Sequence, residues 1–346
     1  MALSKKQYSE MRNHLDNCNN PLFFFDDDQD GLCSFLLLYR YKKQGHGVIV
    51  KTSSGITELF TRKVQEYNPD KIFIMDIADV EQEFFDEMKV PVVWIDHHGP
   101  YERKNVKYYN PRVSNKKHNQ PTSFLCYKTV EQDLWIAALG CVADWFLPPF
   151  LKEFKKEYPD LIEGKNKSPG DIIYNTKLGH LIRIFSFVLK GKHSDVMSCI
   201  KILTRIKDPH ELLEAKTEQA RFIYKKYETA IGMYKPLLDD MMEKLEKSSE
   251  NLEVFSYGHD STSMTSDLSN EAIHRHPDKI IIIAREKNEQ MKCSLRSSKT
   301  NLKPLVEKAL IGLNGYGGGH ENACGANVHK NDFDEFVRRL RELLNQ

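Results

Sequence analysis

Short apolar runs alternate with helix-patterned stretches over the first 150 residues. LFFFD (22–26), GVIVKTS (47–53), KIFIMDI (71–77) and PVVWIDH (91–97) are rich in Phe, Ile and Val and predict buried strands. Between them, LCSFLLLYRYKKQ (32–44) and TELFTRKVQEY (57–67) have helical spacing. This alternation predicts an α/β, doubly wound parallel sheet. Helical patterning continues through 122–146, including LWIAALGCVADWF. From about 150 to 250 the strand-like runs vanish and charge density rises. There HELLEAKTEQARFIYKKYETAIGMYKPLLDDMMEKLEK predicts a long helix interrupted near Pro236. The alternation returns after KSSEN, with LEVFSY, KIIIIAR and QMKCSLRS as strands and LKPLVEKAL and FDEFVRRLRELL as helices. The expected organisation is a doubly wound domain over 1–150, a helical connector over 151–251, and a smaller α/β domain over 252–346.

Charge and composition narrow the classes. Lys+Arg number 50 against 49 Asp+Glu, so no global field marks a nucleic-acid coat, although a local basic groove remains compatible with that balance. The apolar runs are too short to span a bilayer, and MALSKKQYSEMRNHL has no signal-peptide core. Seven cysteines without paired CxxC spacing suggest reduced thiols rather than a disulfide framework or zinc knuckle. The expectation is a soluble, cytoplasmic protein without a membrane partner.

The chemistry concentrates where the strands end. Three phenylalanines, Phe23 to Phe25, run directly into four aspartates within five positions. In a doubly wound sheet, ligands collect at the carboxyl ends of strands. The first strand ends in Asp26, Asp28 and Asp30, with Gly31 permitting a tight turn; the third delivers Asp76; the fourth delivers Asp96, His97 and His98. Asp144 lies in an apolar helical context. Converging without cations, Asp28, Asp30, Asp76 and Asp144 would repel until some took up protons. Two divalent cations remove the conflict, and carboxylates with a neutral imidazole suit Mn²⁺ or Mg²⁺ better than a thiolate zinc site. Paired metals are a device for in-line attack on phosphorus. Each element alone has a plainer reading: a solvated turn, chance surface histidines, a hydrogen-bonded aspartate. Their joint order at successive strand ends does not.

DDDQDG, MDIAD, DHH and GCVAD resemble the four metal-site motifs of the DHH phosphoesterase superfamily. GYGGGHENACGANV (315–328) resembles the Gly-Gly-Gly-His motif of its DHHA1 substrate domain, and SLRSS (294–298) is similar to the Arg-Ser element preceding it. SDLSNEAIHRHPDKIIII also fits that domain's helix-to-strand passage. The resemblance covers both α/β domains. It implies Asp28, Asp30, Asp76, His97 and Asp144 as metal ligands, together with Asp26, which stands where several relatives use a histidine. Asp76 would bridge the metals, His98 would face the reactive phosphate, and Asp96 would orient its neighbours. Because adjacent residues at a strand end point different ways, His97 and His98 are expected to differ in role. Arg296, Ser297, Gly318, Gly319 and His320 are implied as substrate contacts in a domain that closes over the metals.

The superfamily includes pyrophosphatases, small-oligonucleotide and cyclic-dinucleotide phosphodiesterases, and RecJ-like exonucleases. The form D-x-D-x-D-G at 26–31 is typical of RecJ-like members, whereas small-oligonucleotide enzymes more commonly start with His and a Pro-Asp step. The expected function is therefore two-metal hydrolysis of single-stranded DNA, RNA or short oligonucleotides from an end, with Mn²⁺ ahead of Mg²⁺. A strongly basic tract is missing, which suits distributive cutting of short substrates. The rival readings are a cyclic-dinucleotide or other small phosphoester hydrolase, and a non-enzymatic replication or repair scaffold. A homodimer and replication or repair proteins are the protein partners these readings admit.

Overall fold

The structure, a computed structural model, describes residues 3–52, 55–258 and 262–345. The chain divides into two compact units, Met1–Lys225 and Lys226–Gln346. Among the described residues no helix is long and apolar enough to cross a membrane.

The first unit opens with α1 (Lys5–Asp16), started by a capping box between Ser4 and Gln7. Five parallel strands follow: β1 (Pro21–Asp26), β2 (His46–Val50), β3 (Lys71–Met75), β4 (Val92–Ile95) and β5 (Lys107–Tyr109). Their order in the sheet is β2-β1-β3-β4-β5. The intervening helices are α2 (Gln29–Lys42), α3 (Thr61–Tyr67) and α4 (Gln82–Glu87). Side chains alternate across the sheet, and both faces are covered. Phe23 and Phe25 meet Phe35 of α2 at ring separations of 5.9 and 4.4 Å, while Phe24 meets Phe84 of α4 at 6.0 Å. The strand expected over 47–53 ends at Val50, and Ser53 lies outside the described residues. The pattern did not announce β5, whose three residues are too few to show a period.

Helices α5 (Thr122–Val130) and α6 (Leu134–Ala143) pack with α2 beside the sheet. They pack tightly at Gly140, where a Cβ would lie 2.7 Å from both Cys33 Cβ and Ser123 Oγ. Helices α7 (Leu151–Glu157), α8 (Pro169–Asn175), α9 (Lys177–Val188), α10 (His193–Leu203) and α11 (Pro209–Leu213) continue the unit. The long helix α12 (Glu218–Lys247) corrects the sequence expectation, because it runs unbroken through Pro236. Proline in a helix interior costs about 3 kcal/mol through a lost hydrogen bond and a clash with the carbonyl four residues back. That residue is Gly232. The buried stripe Tyr227, Ala230, Tyr234, Leu238, Met241 and Leu245 passes Pro236 without losing its helical period. Burying several large side chains, at about 1.5–3 kcal/mol each, outweighs the defect.

The second unit is a mixed sheet in the order β6-β7-β8-β10-β9. Strands β6 (Leu252–Tyr257) and β7 (Ile280–Lys287) are parallel, joined by α13 (Thr265–Arg275). Strand β8 (Gln290–Ser297) returns antiparallel through Asn288 and Glu289, both at positive φ, as a two-residue hairpin requires. After α14 (Lys303–Ala309), β9 (Gly315–Gly319) and β10 (Ala323–His329) form a second hairpin, and α15 (Phe333–Leu344) closes the chain. The glycine-rich motif is thus a paired strand. A side chain at Gly319 would meet the Ala323 carbonyl at 2.4 Å, so backbone proximity explains the residue there. One face packs Ile282, Leu295, Val306 and Phe336 into a continuous core.

Gly140→Ala is expected to destabilise the first unit by about 1–3 kcal/mol through overpacking against Cys33 and Ser123. Urea denaturation should show a lower midpoint with an unchanged slope.

Candidate metal centre

The sheet order places β1 between β2 and β3, so the connections leave in opposite directions and a crevice opens at the carboxyl ends of β1 and β3. Asp26 closes β1, and Asp28 caps α2 by accepting from the Gly31 N–H at 2.9 Å. A side chain at Gly31 would lie 2.7 Å from the Asp26 carbonyl, so only glycine permits this turn. Asp30 is buried in the first turn of α2 and accepts from the N–H groups of Thr122 at 2.7 Å and Ser123 at 3.0 Å. These are opening amides of α5, where a helix favours an anion. Asp76 follows β3 with φ at 62° and is 1% exposed. Its carboxylate accepts from the Thr122 hydroxyl at 2.9 Å.

His97 places Nε2 3.4 Å from Asp76 and Nδ1 3.8 Å from Asp144, the residue that caps the end of α6. His98 Nδ1 lies 2.8 Å from Asp96 Oδ1. Asp96, fully buried, also accepts from the His98 N–H at 3.0 Å, the Asn110 amide at 3.1 Å and the Tyr108 hydroxyl at 3.3 Å. The strand-alternation argument for separating His97 from His98 does not apply, because β4 ends at Ile95 and the two rings sit 4.6 Å apart.

Three donor groups result among the described residues, each with its atoms within 4.8 Å of one another: Asp26, Asp28 and Asp76; Asp76, His97 and His98; Asp30, His97 and Asp144. Asp76 and His97 each belong to two. These acidic groups could hold metal. Their hard oxygens and imidazoles fit such ions, and burial with like-charge crowding disfavours ionised carboxylates unless a proton or cation compensates. Burial, then Asp28 and Asp27, raises the Asp26 carboxyl to about 8. Burial and Asp28 lift Asp30 to about 6, even against its hydrogen bonds from Ser123 and Thr122. Burial followed by neighbouring carboxylates raises Asp76 and Asp144 well above the usual range. Burial opposes a proton on His98, but the bond to Asp96 and the charges of Asp96, Asp28 and Asp144 raise it to about 9.

In the second unit, the β8–β10 register sets Arg296 opposite Ala323, beside the turn that holds Gly319 and His320. Arg296 donates to Asn270 Oδ1 at 2.6 Å and to the Leu295 carbonyl at 2.9 Å. Ser297 is buried, and its hydroxyl accepts from the N–H groups of Lys299 and Thr300 at 3.2 and 3.0 Å. Gly318 has open space where a side chain would stand, and His320 is exposed. The structure therefore gathers all five residues at one end of this sheet.

Sequence reasoning missed Thr122, Ser123, Tyr108 and Asn110. The available signals were Pro-Thr-Ser before the apolar run at 121–123, which marks a helix start, and Asn-Pro at 110–111, which marks a turn.

The raised Asp26 fixes a pH dependence. Between its ordinary 3.8 and about 8, the folded metal-free protein holds a proton that the unfolded chain releases. That contribution is full below the lower value and is lost as pH rises through the upper one. Denaturation in EDTA across this window should show a decline that is shallower in Asp26→Asn; equal slopes would refute the shift.

Known proteins share this geometry at the level of the fold. The DHH family, N-terminal domain, matches residues 22–145, and the DHHA1 domain matches residues 259–346. A search of curated proteins found no match. The fold is similar to RecJ in complex with Mn²⁺ from Thermus thermophilus, with TM-score 0.69 and 15% identity, over 99% of this chain and 55% of that one. The chain thus spans about half the length of that RecJ. It is also similar to an exonuclease RecJ bound to manganese (TM-score 0.66, 15% identity, 99% of this chain, 96% of that one). A third is a pGpG-specific phosphodiesterase, PggH, from Vibrio cholerae (TM-score 0.52, 13% identity, 94% and 99%). Both domains being present in order, the chain belongs to the DHH family, with a DHHA1 domain following its DHH domain.

Proposed function

We propose that this chain is a two-metal phosphodiesterase that removes nucleotides from an end of single-stranded nucleic acid or short oligonucleotides. The observation that carries the reading is that Asp76 belongs to one donor group with Asp26 and Asp28 and also lies 3.4 Å from His97, which belongs to another with Asp30 and Asp144. A carboxylate within reach of two such groups is what a paired-metal site requires. Family membership and the likeness to manganese-bound RecJ structures support it. The likeness to a pGpG-specific phosphodiesterase favours a second reading within the same chemistry, a dinucleotide as substrate.

In this reading Asp26, Asp28, Asp30, Asp76, His97 and Asp144 hold two divalent cations, Mn²⁺ ahead of Mg²⁺. Such cations lower the pKa of water and draw charge from phosphoryl oxygens. The protein's own part is positioning. Thr122 fixes the Asp76 carboxylate, and the α5 amides fix Asp30. Asp96 engages His98 Nδ1, which orients the ring and leaves Nε2 to meet a substrate oxygen. In the second unit Arg296 is the phosphate contact, since a guanidinium grips phosphate through two parallel hydrogen bonds.

Asp76→Asn tests the centre, because asparagine tolerates the left-handed backbone at this position. It should stay folded, lose bound manganese, and lose more activity than the roughly 10–100-fold typical of an outer-shell partner. End-labelled DNA and RNA oligomers of graded length, digested with Mn²⁺ and resolved to single nucleotides, provide the assay. Undiminished turnover in EDTA, or by the folded variant, would sink the proposal.

Arg296→Lys should raise KM for oligonucleotides and leave metal content and kcat unchanged. A small activated phosphodiester should feel the change much less. Equal losses on both substrates would move Arg296 into the catalytic centre.

A further inference from the structure

Trp145 combines two unfavourable features one residue beyond Asp144. Helix α6 closes with the Trp145 N–H donating to the Val142 carbonyl at 3.0 Å and the Phe146 N–H donating to the Cys141 carbonyl at 2.9 Å. In this paired closure the residue after the cap takes a left-handed conformation and is usually glycine. Here it is tryptophan, at φ 57°. Trp145 is also 43% exposed, whereas Trp94 and Trp135 are 0% and 2% exposed. Leu147 beside it is exposed as well. Phe146, between them, packs its ring 5.8 Å from Phe124, which stacks on Phe150. The segment is therefore pinned by Phe146 while Trp145 stands out to solvent, next to a member of the Asp30, His97 and Asp144 donor group.

Stability alone favours glycine or asparagine at such a position. Strained residues that persist beside a reactive centre point to function. A large flat π-face one residue beyond Asp144 suits one ligand chemistry: an aromatic heterocycle joined through a sugar to a phosphate held at that donor group. We propose that Trp145 is a stacking platform for a nucleobase next to the scissile phosphate, an inference that rests on the phosphodiesterase reading. Every base has a π-face, so the contact adds affinity and register without base preference.

Because the other two tryptophans are buried, contact quenching by an added solute falls on Trp145. With Mg²⁺ present, adenosine 5′-monophosphate should quench the wild-type emission and ribose 5-phosphate should not. Trp145→Asn, which keeps the left-handed turn, should abolish the response. The same variant should raise KM for a short oligonucleotide by roughly 5- to 100-fold with kcat little changed, and Trp145→Phe should restore most of it. Mononucleotide binding seen by calorimetry without a change in emission overturns the proposal. So does unaltered KM in Trp145→Asn, and so does a fall in its thermal midpoint with kinetics intact, which marks a structural residue. The titration reads binding and not turnover. A protein that is quenched by the mononucleotide but cleaves no oligomer would refute the hydrolytic reading and leave the stacking contact standing.

Discussion

Like-charge crowding at the carboxyl ends of β1 and β3 is the constraint around which the first unit is arranged. Asp30 and Asp76 are both buried, and burial of an ionised carboxylate without compensation is expensive. Asp30 accepts from the amides of Thr122 and Ser123, and Asp76 from the Thr122 hydroxyl. These donors are neutral. They hold each carboxylate in place without cancelling its charge, and the raised pKa values of Asp26, Asp30, Asp76 and Asp144 express what is left over. A protein that only needed stability would put apolar residues here. The arrangement makes physical sense when the missing counter-charge comes from bound cations.

Backbone strain tells the same story. Lys43, Asn68 and Glu131 have positive φ because they end helices, and Asn288 and Glu289 because they turn a hairpin. Trp145 likewise closes a helix, α6, whereas Asp76 has positive φ at the candidate metal centre directly after a strand. At Asp76 the chain leaves β3 sharply enough to bring the carboxylate to the end of β1, where Asp26 and Asp28 lie. Such conformations persist when the surroundings over-determine them, and here the Thr122 hydroxyl and the Asp76 N–H bond to Ile95 do so.

The strands and the carboxylates were legible in the sequence because both signals are local. Phe23 to Phe25 must be buried on two faces, and a charged run after them must lie at a strand end. What holds those carboxylates was not legible, because it comes from distant residues. Thr122 follows Asp30 by 92 positions and reaches it only when α5 packs on α2. Asn110 and Tyr108 meet Asp96 only once β5 pairs with β4. Pro236 misled because local propensity cannot register the buried stripe on either side of it. The β9 strand was hidden for a related reason. Its glycines have weak strand propensity, yet pairing with β10 leaves no room for anything larger at Gly319.

Donor softness bears on which ion such a centre would select. Two cysteines, Cys33 and Cys141, lie close enough to Asp30 to feel its charge, yet among the described residues no sulfur belongs to the donor groups. Burial pushes both thiols well above their ordinary range, and the charge of Asp30 pushes further in the same direction. A thiol becomes a strong metal ligand only as thiolate, so these two remain protonated apolar filling between α2, α5 and α6. Soft ions thereby lose the ligand they prefer. Carboxylates with one or two imidazoles are the donor set of Mn²⁺ and Mg²⁺ rather than of a thiolate-bound zinc. The same hydrophobic packing that buries the sheet therefore keeps these two sulfurs out of the donor groups.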